Sequence, residues 1–187
     1  MNTLRALARA IDSLNDRIGR AAAWLAVAMV VLQFVVVVLR YVFSYGSIFM
    51  QEGVIYLHAV LFLVGAGYTL MKGGHVRVDI LYRGASPRRK ALVDMAGTLL
   101  LLFPVCGIVA WATLPYVGQS WTVLEGSKET SGIPAVFLLK SSILAFIALL
   151  VLQGFATVSR SLLLLLGDEP PPQSDDRGGS SEEAEGL

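Results

Sequence analysis

The chain has 187 residues, of which 55% are hydrophobic and 16% charged, and its formal net charge is +1. Its mean hydropathy is positive, which excludes an ordinary soluble domain and indicates a membrane protein. The single cysteine, Cys106, excludes an intrachain disulfide and a thiolate metal cluster, and we expect it to pack as a small apolar side chain.

Residues 1–20 are predicted to form an N-terminal amphipathic helix. Apolar side chains recur there at steps of three and four, with charged side chains between them. The apolar positions are Leu4, Leu7, Ile11, Leu14 and Ile18. Such a helix is expected to lie along the cytoplasmic membrane surface or to pack on the cytoplasmic surface of a partner, and the two placements are compatible.

Four apolar runs follow, and each is long enough to cross a hydrocarbon core of about 30 Å as a helix. They cover residues 21–39, 54–71, 95–116 and 133–158. The first run is too long for a secretory signal, and Arg40 follows it instead of a small-residue cleavage site, so we expect it to be retained. The predicted fold is an all-α membrane protein with four transmembrane helices in residues 21–166.

The distribution of positive charge predicts the orientation. Of the 15 Lys and Arg residues, twelve lie before the first run, between the second and third, or after the fourth; the exceptions are Arg40, Lys128 and Lys140. The positive-inside rule then predicts that both termini and the middle loop are cytoplasmic. Residues 167–187 are rich in Pro, Gly, Ser and acidic residues, which predicts a disordered acidic cytoplasmic tail.

Two charged residues mark the outer ends of the helices. Ser47 suits the N-cap of the second helix, and Glu52 near that end suits the helix dipole. Capping and partner contact are favoured over a cation site, because no second acid lies nearby in sequence. Lys140 lies about 10 Å into the fourth helix, where it either snorkels outward or faces a carboxylate on a neighbouring subunit.

The two histidines do not predict a haem site. His58 and His75 are about 25 Å apart along one helix, so they cannot ligate one haem within one chain. His58 is expected to face the bundle and to be hydrogen-bonded. In the third run, Pro104 is expected to kink the helix and Pro115 to mark its outer end.

The sequence contains no motif that predicts catalysis. There is no phosphate-binding loop, no cluster of Cys or His and no pair of acids within a span. We therefore expect neither enzyme activity nor a cofactor.

The segment GGHVRVDILY, residues 73–82, places charge between two apolar runs. A strand would leave backbone groups unpaired at a membrane boundary, whereas a helix aligns His75, Asp79 and Arg83 at i, i+4 and i+8. We predict a short amphipathic cytoplasmic segment after the second span, separated from it by the two glycines. Arg77 would need a phosphate or a partner carboxylate there.

Three stretches resemble the small membrane subunit of tripartite ATP-independent periplasmic (TRAP) transporters. They are RYVFSYGSIFMQEG after the first span, GAGYTLMKGGHVRVDILY at the end of the second, and SGIPAVFLLKS at the start of the fourth. The resemblance runs from about residue 19 to residue 154, and Met50 departs from it because the family often has tryptophan there. It implies a non-catalytic subunit of a sodium-coupled uptake transporter for an organic acid, which braces a large substrate-translocating subunit in the bacterial inner membrane.

The resemblance also implies partners and contact residues. The partners are a large multi-span membrane subunit, a periplasmic substrate-binding protein and membrane lipids, with no nucleic acid. The residues at its motifs are assigned to subunit or lipid contact: Arg40, Glu52, His75, Arg77, Asp79 and Lys140. One alternative is a membrane anchor of a redox complex. Another is a small self-sufficient exporter, which would be expected to carry an acid near the middle of a span.

Overall fold

Four long helices, each apolar enough to cross a membrane, dominate the computed structural model, which describes residues 2–74 and 84–167. The helices are α1 (Asn2–Val42), α2 (Ile48–Met71), α3 (Pro87–Gly97), α4 (Phe103–Thr122) and α5 (Val136–Leu165). A single π-helical turn, Thr98–Leu102, joins α3 to α4, so these two form one long span. The regular structure of both described ranges is entirely helical, which confirms the predicted class.

Helix α1 joins the predicted amphipathic segment and the first span without a break at residue 20. Its 41 residues extend about 60 Å at 1.5 Å per residue, twice the thickness of a hydrocarbon core. Ala8 and Ile11 pack against Ala156 of α5, whereas Leu7 and Leu14 on the predicted apolar stripe are exposed. The placement of residues 1–20 along the lipid surface stays a prediction.

Helix α2 ends at a glycine, as the sequence predicts. Gly73 has a left-handed backbone with φ 68°, which costs glycine little. The N–H groups of Gly73 and Gly74 bond back to the carbonyls of Leu70 and Thr69, at 3.1 and 2.9 Å. This is a Schellman C-cap, and it lets the chain leave the axis of α2. The segment that follows, with His75, Arg77 and Asp79, lies outside the described residues.

The third span contains a π turn just before Pro104. The Phe103 N–H bonds to the Thr98 carbonyl five residues back, which widens the helix where the proline ring would otherwise meet a carbonyl. Pro115 lies inside α4, which continues to Thr122. The prediction that Pro115 marks the outer end is therefore wrong, because a proline within a helix can be tolerated when only one backbone bond is lost.

Helix α5 is the centre of the bundle and contacts each of the other helices. Its Ile147 and Leu150 form a buried cluster with Cys106 of α4, so the cysteine packs as expected. On another side of α5, Gly154 packs directly against the π turn. A Cβ on Gly154 would lie 2.6 Å from Phe103 and 2.9 Å from Leu102. The π turn of the third span therefore packs against a glycine of α5.

Helices α1 and α2 interlock through a glycine on each helix. A Cβ on Gly19 of α1 would overlap the ring of Tyr68. One residue earlier on α2, a Cβ on Gly67 would lie 2.6 Å from Oδ1 of Asn15 and 3.0 Å from Leu149 of α5. Small residues at helix crossings let backbones approach closely, so Gly67 lies where three helices meet.

Candidate functional site

A carboxylate ties the N-terminal end of α2 to the loop between α4 and α5 (residues 123–135), which we call the outer loop after the side of the membrane predicted for it. Ser47 caps α2, as predicted, with its hydroxyl accepting a bond from the Met50 N–H at 3.4 Å. Glu52, about one turn further on, accepts bonds from the Ser127 hydroxyl and from the Ile133 N–H, the latter at 2.6 Å. Glu52 is thus a cross-link between two elements rather than a cap of its own helix.

The loop that Glu52 holds has a compact fold of its own. The Ser127 N–H bonds to the Ile133 carbonyl at 3.1 Å, and the Gly132 N–H bonds to the Glu129 carbonyl at 3.0 Å. A Cβ on Gly132 would overlap Ser127 and would lie 2.7 Å from Oε1 of Glu52. Glycine is therefore the residue that leaves room for the carboxylate.

Lys140 of α5 is paired within its own chain. Its side chain is only 13% exposed, and its ammonium forms an ion pair with Glu125 of the outer loop. The same ammonium lies 3.9 Å from the centre of the Tyr116 ring, a cation–π contact with α4. The sequence left open snorkelling or a carboxylate on another subunit, and the structure shows an intrachain carboxylate. Its role in subunit contact stays a prediction.

The Glu125–Lys140 pair predicts a loss of outer-loop order in acid. The hydrogen bond from Lys140 lowers the pKa of Glu125 below its usual 4.5. A carboxyl with a lowered pKa stabilises the fold above its unfolded-state pKa and loses that contribution as the pH falls through the lowered value. We expect the protection of amides in residues 123–135 against exchange to be constant above about pH 4.5 and to fall several-fold below it.

The matched control for this prediction is Lys140→Met, measured by the same hydrogen exchange after correction for the intrinsic pH dependence of exchange. Without the ammonium, the outer loop should be less protected at neutral pH, and its acid-dependent step should shrink. An identical step in both proteins would mean that another group is responsible.

A second polar cluster joins α1 to α5 towards their cytoplasm-assigned ends. Asn15 donates from Nδ2 to Oε1 of Gln153 at 2.6 Å, and Gln153 donates from Nε2 to Oδ1 of Asp12 at 3.0 Å. Arg160 donates to the other oxygen of Asp12 at 2.5 Å. Gln153 is fully buried and Asn15 is 1% exposed. The four side chains form one hydrogen-bonded network between the helices, in which Asp12 accepts from both Gln153 and Arg160.

Sequence reasoning missed this cluster, although a signal was present. Gln153 is a polar residue within a 30-residue apolar helix, and a buried amide needs hydrogen-bond partners. Asn15 lies one turn after Ile11, on the side of α1 that Ala8 and Ile11 turn towards the bundle. Asn15 and Gln153 are 138 positions apart, so the pattern around each residue could not predict that the two would pair.

Two further predicted positions, Arg40 and His58, have separate outcomes. Arg40 lies in the last turn of α1, exposed beside a shallow crevice between the end of α1 and the start of α2. A positive charge there suits the helix dipole. His58 is exposed on α2, so the expectation that it faces the bundle is wrong. No group of three His, Cys, Asp or Glu side chains within ranges 2–74 and 84–167 is placed to hold a metal ion.

These features define a small helical membrane protein with two clusters of polar side chains that join its own helices and loops. The family model for the DctQ component of tripartite ATP-independent periplasmic transporters matches residues 29–164. The chain belongs to this family: it is a TRAP transporter small permease subunit, a transporter component and not an enzyme. The predicted resemblance is thereby confirmed.

A curated relative supports the same assignment. The chain is 29% identical over 109 residues to the C4-dicarboxylate TRAP transporter small permease protein DctQ of Vibrio cholerae serotype O1. The match covers 54% of this chain and 47% of the relative, so the chain spans about half the length of the relative. No solved structure matches the chain.

Proposed function

We propose that this chain braces the large, substrate-translocating subunit of a sodium-coupled TRAP uptake transporter for an organic acid. The name of the Vibrio cholerae relative refers to C4-dicarboxylates, which makes a C4-dicarboxylate the first solute to test. The observation that best supports the bracing role is that hydrogen-bonded polar clusters tie the helices to each other at both ends of the bundle.

A brace must keep its shape while another part of the complex moves. At the outer end, Glu52 fixes the loop to α2, and the pairing of Glu125 with Lys140 fixes that loop to α5. At the other end, Asp12 and Arg160 join α1 to α5. Cross-links of this kind oppose sliding of one helix along another, because each bond that breaks leaves a polar group in a poorly solvating environment.

The placement in the cell is also proposed. We assign the chain to the bacterial inner membrane with both termini and the middle loop cytoplasmic, from the distribution of basic residues. The exposed Leu7 and Leu14 support contact of residues 1–20 with lipid. The domain boundaries at 20 and 166, the disordered tail and the contact roles of the assigned residues stay predictions. Those residues are Arg40, Glu52, His75, Arg77, Asp79 and Lys140.

Uptake by reconstituted vesicles tests the function. Proteoliposomes holding this chain and the large subunit, with the binding protein outside, should accumulate labelled C4-dicarboxylate when an inward sodium gradient is imposed. We expect at least a tenfold fall on omission of this chain, the large subunit, the binding protein or the gradient. Uptake that is unchanged without this chain would contradict the proposal, and a Soret band in the purified chain would favour the redox anchor instead.

A further inference from the structure

Helix α2 is covered on two of its sides by its own chain. Towards α1, Gly53 lies against Leu32, and Tyr68 fits over Gly19. Towards α5, the side chains of Ala66 and Leu70 pack against the buried cluster around Ile147. The remaining side of α2 has no covering helix within the described part of the chain.

That remaining side presents one line of residues, which we call the α2 stripe. Successive members are separated by three or four positions and so lie above one another on a helix. They are Ile55, His58, Phe62, Gly65 and Thr69. Ile55 is 58% exposed and Phe62 is 73% exposed, and His58 and Thr69 are exposed as well.

His58 is the unusual member because of its depth. It lies ten residues after Ile48, the first of the 24 residues of α2, which corresponds to about 15 Å and thus to a position near the middle of the span. Its ring meets Phe62 edge-on, with 5.3 Å between centroids. Its ring nitrogens have no hydrogen-bond partner among residues 2–74 and 84–167. Lipid acyl chains offer no hydrogen-bond partner, and a polar side chain that faces them raises the free energy of the inserted protein.

Gly65 gives a second, independent indication on the same line. The other two glycines within α2 are explained by close neighbours, Leu32 for Gly53 and Asn15 for Gly67. A Cβ on Gly65 would meet nothing within 4 Å, although glycine weakens a helix relative to alanine. A glycine two turns from His58 on one face suits the close approach of another helix.

We propose that the α2 stripe is the surface on which a transmembrane helix of the large subunit packs. Its backbone comes close at Gly65, and one of its polar side chains hydrogen-bonds His58. This inference rests on the proposed function and adds the face through which the two subunits join. A second copy of this chain fits less well. A two-fold axis would set one Phe62 ring against the other and hold the two Gly65 backbones apart.

Three substitutions on the stripe test the contact by co-purification of the large subunit in mild detergent. His58→Leu removes the hydrogen bond and should weaken association about 3- to 18-fold, the range for one interhelical hydrogen bond in a membrane. His58→Gln keeps a donor and an acceptor and should retain most of the association. Gly65→Leu blocks the close approach and should weaken association at least as much as His58→Leu.

The matched control is Trp111→Ala on α4, where the side chain is 80% exposed but lies off the stripe. It should leave association unchanged. All stripe positions are open in the single chain, so none of the variants should unfold below the wild-type temperature when purified alone. If Gly65→Leu does not fold, the two His58 variants decide the matter.

The nature of the occupant is tested by photo-crosslinking with p-benzoylphenylalanine at Phe62. An adduct with the large subunit supports the proposal, whereas an adduct with a second copy of this chain or with lipid alone overturns it. Wild-type association that none of the stripe variants changes would also overturn it, while the proposed function would stand. A wild-type chain that binds no large subunit would refute the proposed function and this inference together.

Discussion

Replacing Gln153 with leucine should lower the free energy of unfolding of the isolated chain by about 2 kcal/mol, the cost of leaving buried polar groups without partners. Gln153 is fully buried, accepts a hydrogen bond from Asn15 at 2.6 Å and donates one to Asp12 at 3.0 Å. Leucine has a similar size, so little of the loss would come from a cavity. The Asn15 amide would be left 1% exposed with no acceptor.

The sole cysteine of the chain provides the measurement. Cys106 is buried between α4 and α5, so a thiol-reactive fluorogenic dye reports its exposure as the protein unfolds in detergent. The matched control is Gln33→Leu, because Gln33 is a glutamine of α1 that is exposed and should tolerate the change. Equal stabilities for Gln153→Leu and wild type would show that the amide chain contributes nothing to the bundle.

The sequence was sufficient for the features that depend on composition and local pattern. Four spans follow from the length of the apolar runs, and the end of α2 follows from the paired glycines at Gly73. The boundaries were less accurate, because amphipathic turns extend beyond the apolar runs. Helix α2 begins at Ile48, six residues before its run, so His58 lies near the middle of the helix and not in the second turn that the run alone would give it.

The partners of the charged residues could not be predicted. Glu52 and Ile133 are 81 positions apart, and Asp12 and Arg160 are 148 positions apart, so their contacts depend on how the helices pack. For Lys140, the sequence left two placements of the ammonium open: outward in water or beside a carboxylate of another subunit. In the structure it pairs with Glu125 of the adjoining loop. The outward direction of His58 was missed for the same reason, since its face depends on where α1 and α5 lie.

Two glycines on α2 should respond in opposite ways to the same small substitution. Gly67→Ala places a methyl group 2.6 Å from Oδ1 of Asn15 and 3.0 Å from Cβ of Leu149. Either α1 or α5 must then move away, at a cost of about 1 to 3 kcal/mol for overpacking. Gly65→Ala meets no neighbour within the chain and should stabilise the helix by up to about 1 kcal/mol.

Each of these two variants serves as the control for the other, because both glycines lie on α2 and both are replaced by alanine. Unfolding monitored through the Cys106 thiol should give a lower midpoint than wild type for Gly67→Ala and an equal or higher midpoint for Gly65→Ala. A lower midpoint for both would mean that the exposed side of α2 is also packed within the chain, which would contradict the assignment of that side to a partner. An unchanged midpoint for Gly67→Ala would mean that α1, α2 and α5 do not meet closely there. The rigidity that a brace requires would then have to come from the outer cluster around Glu52.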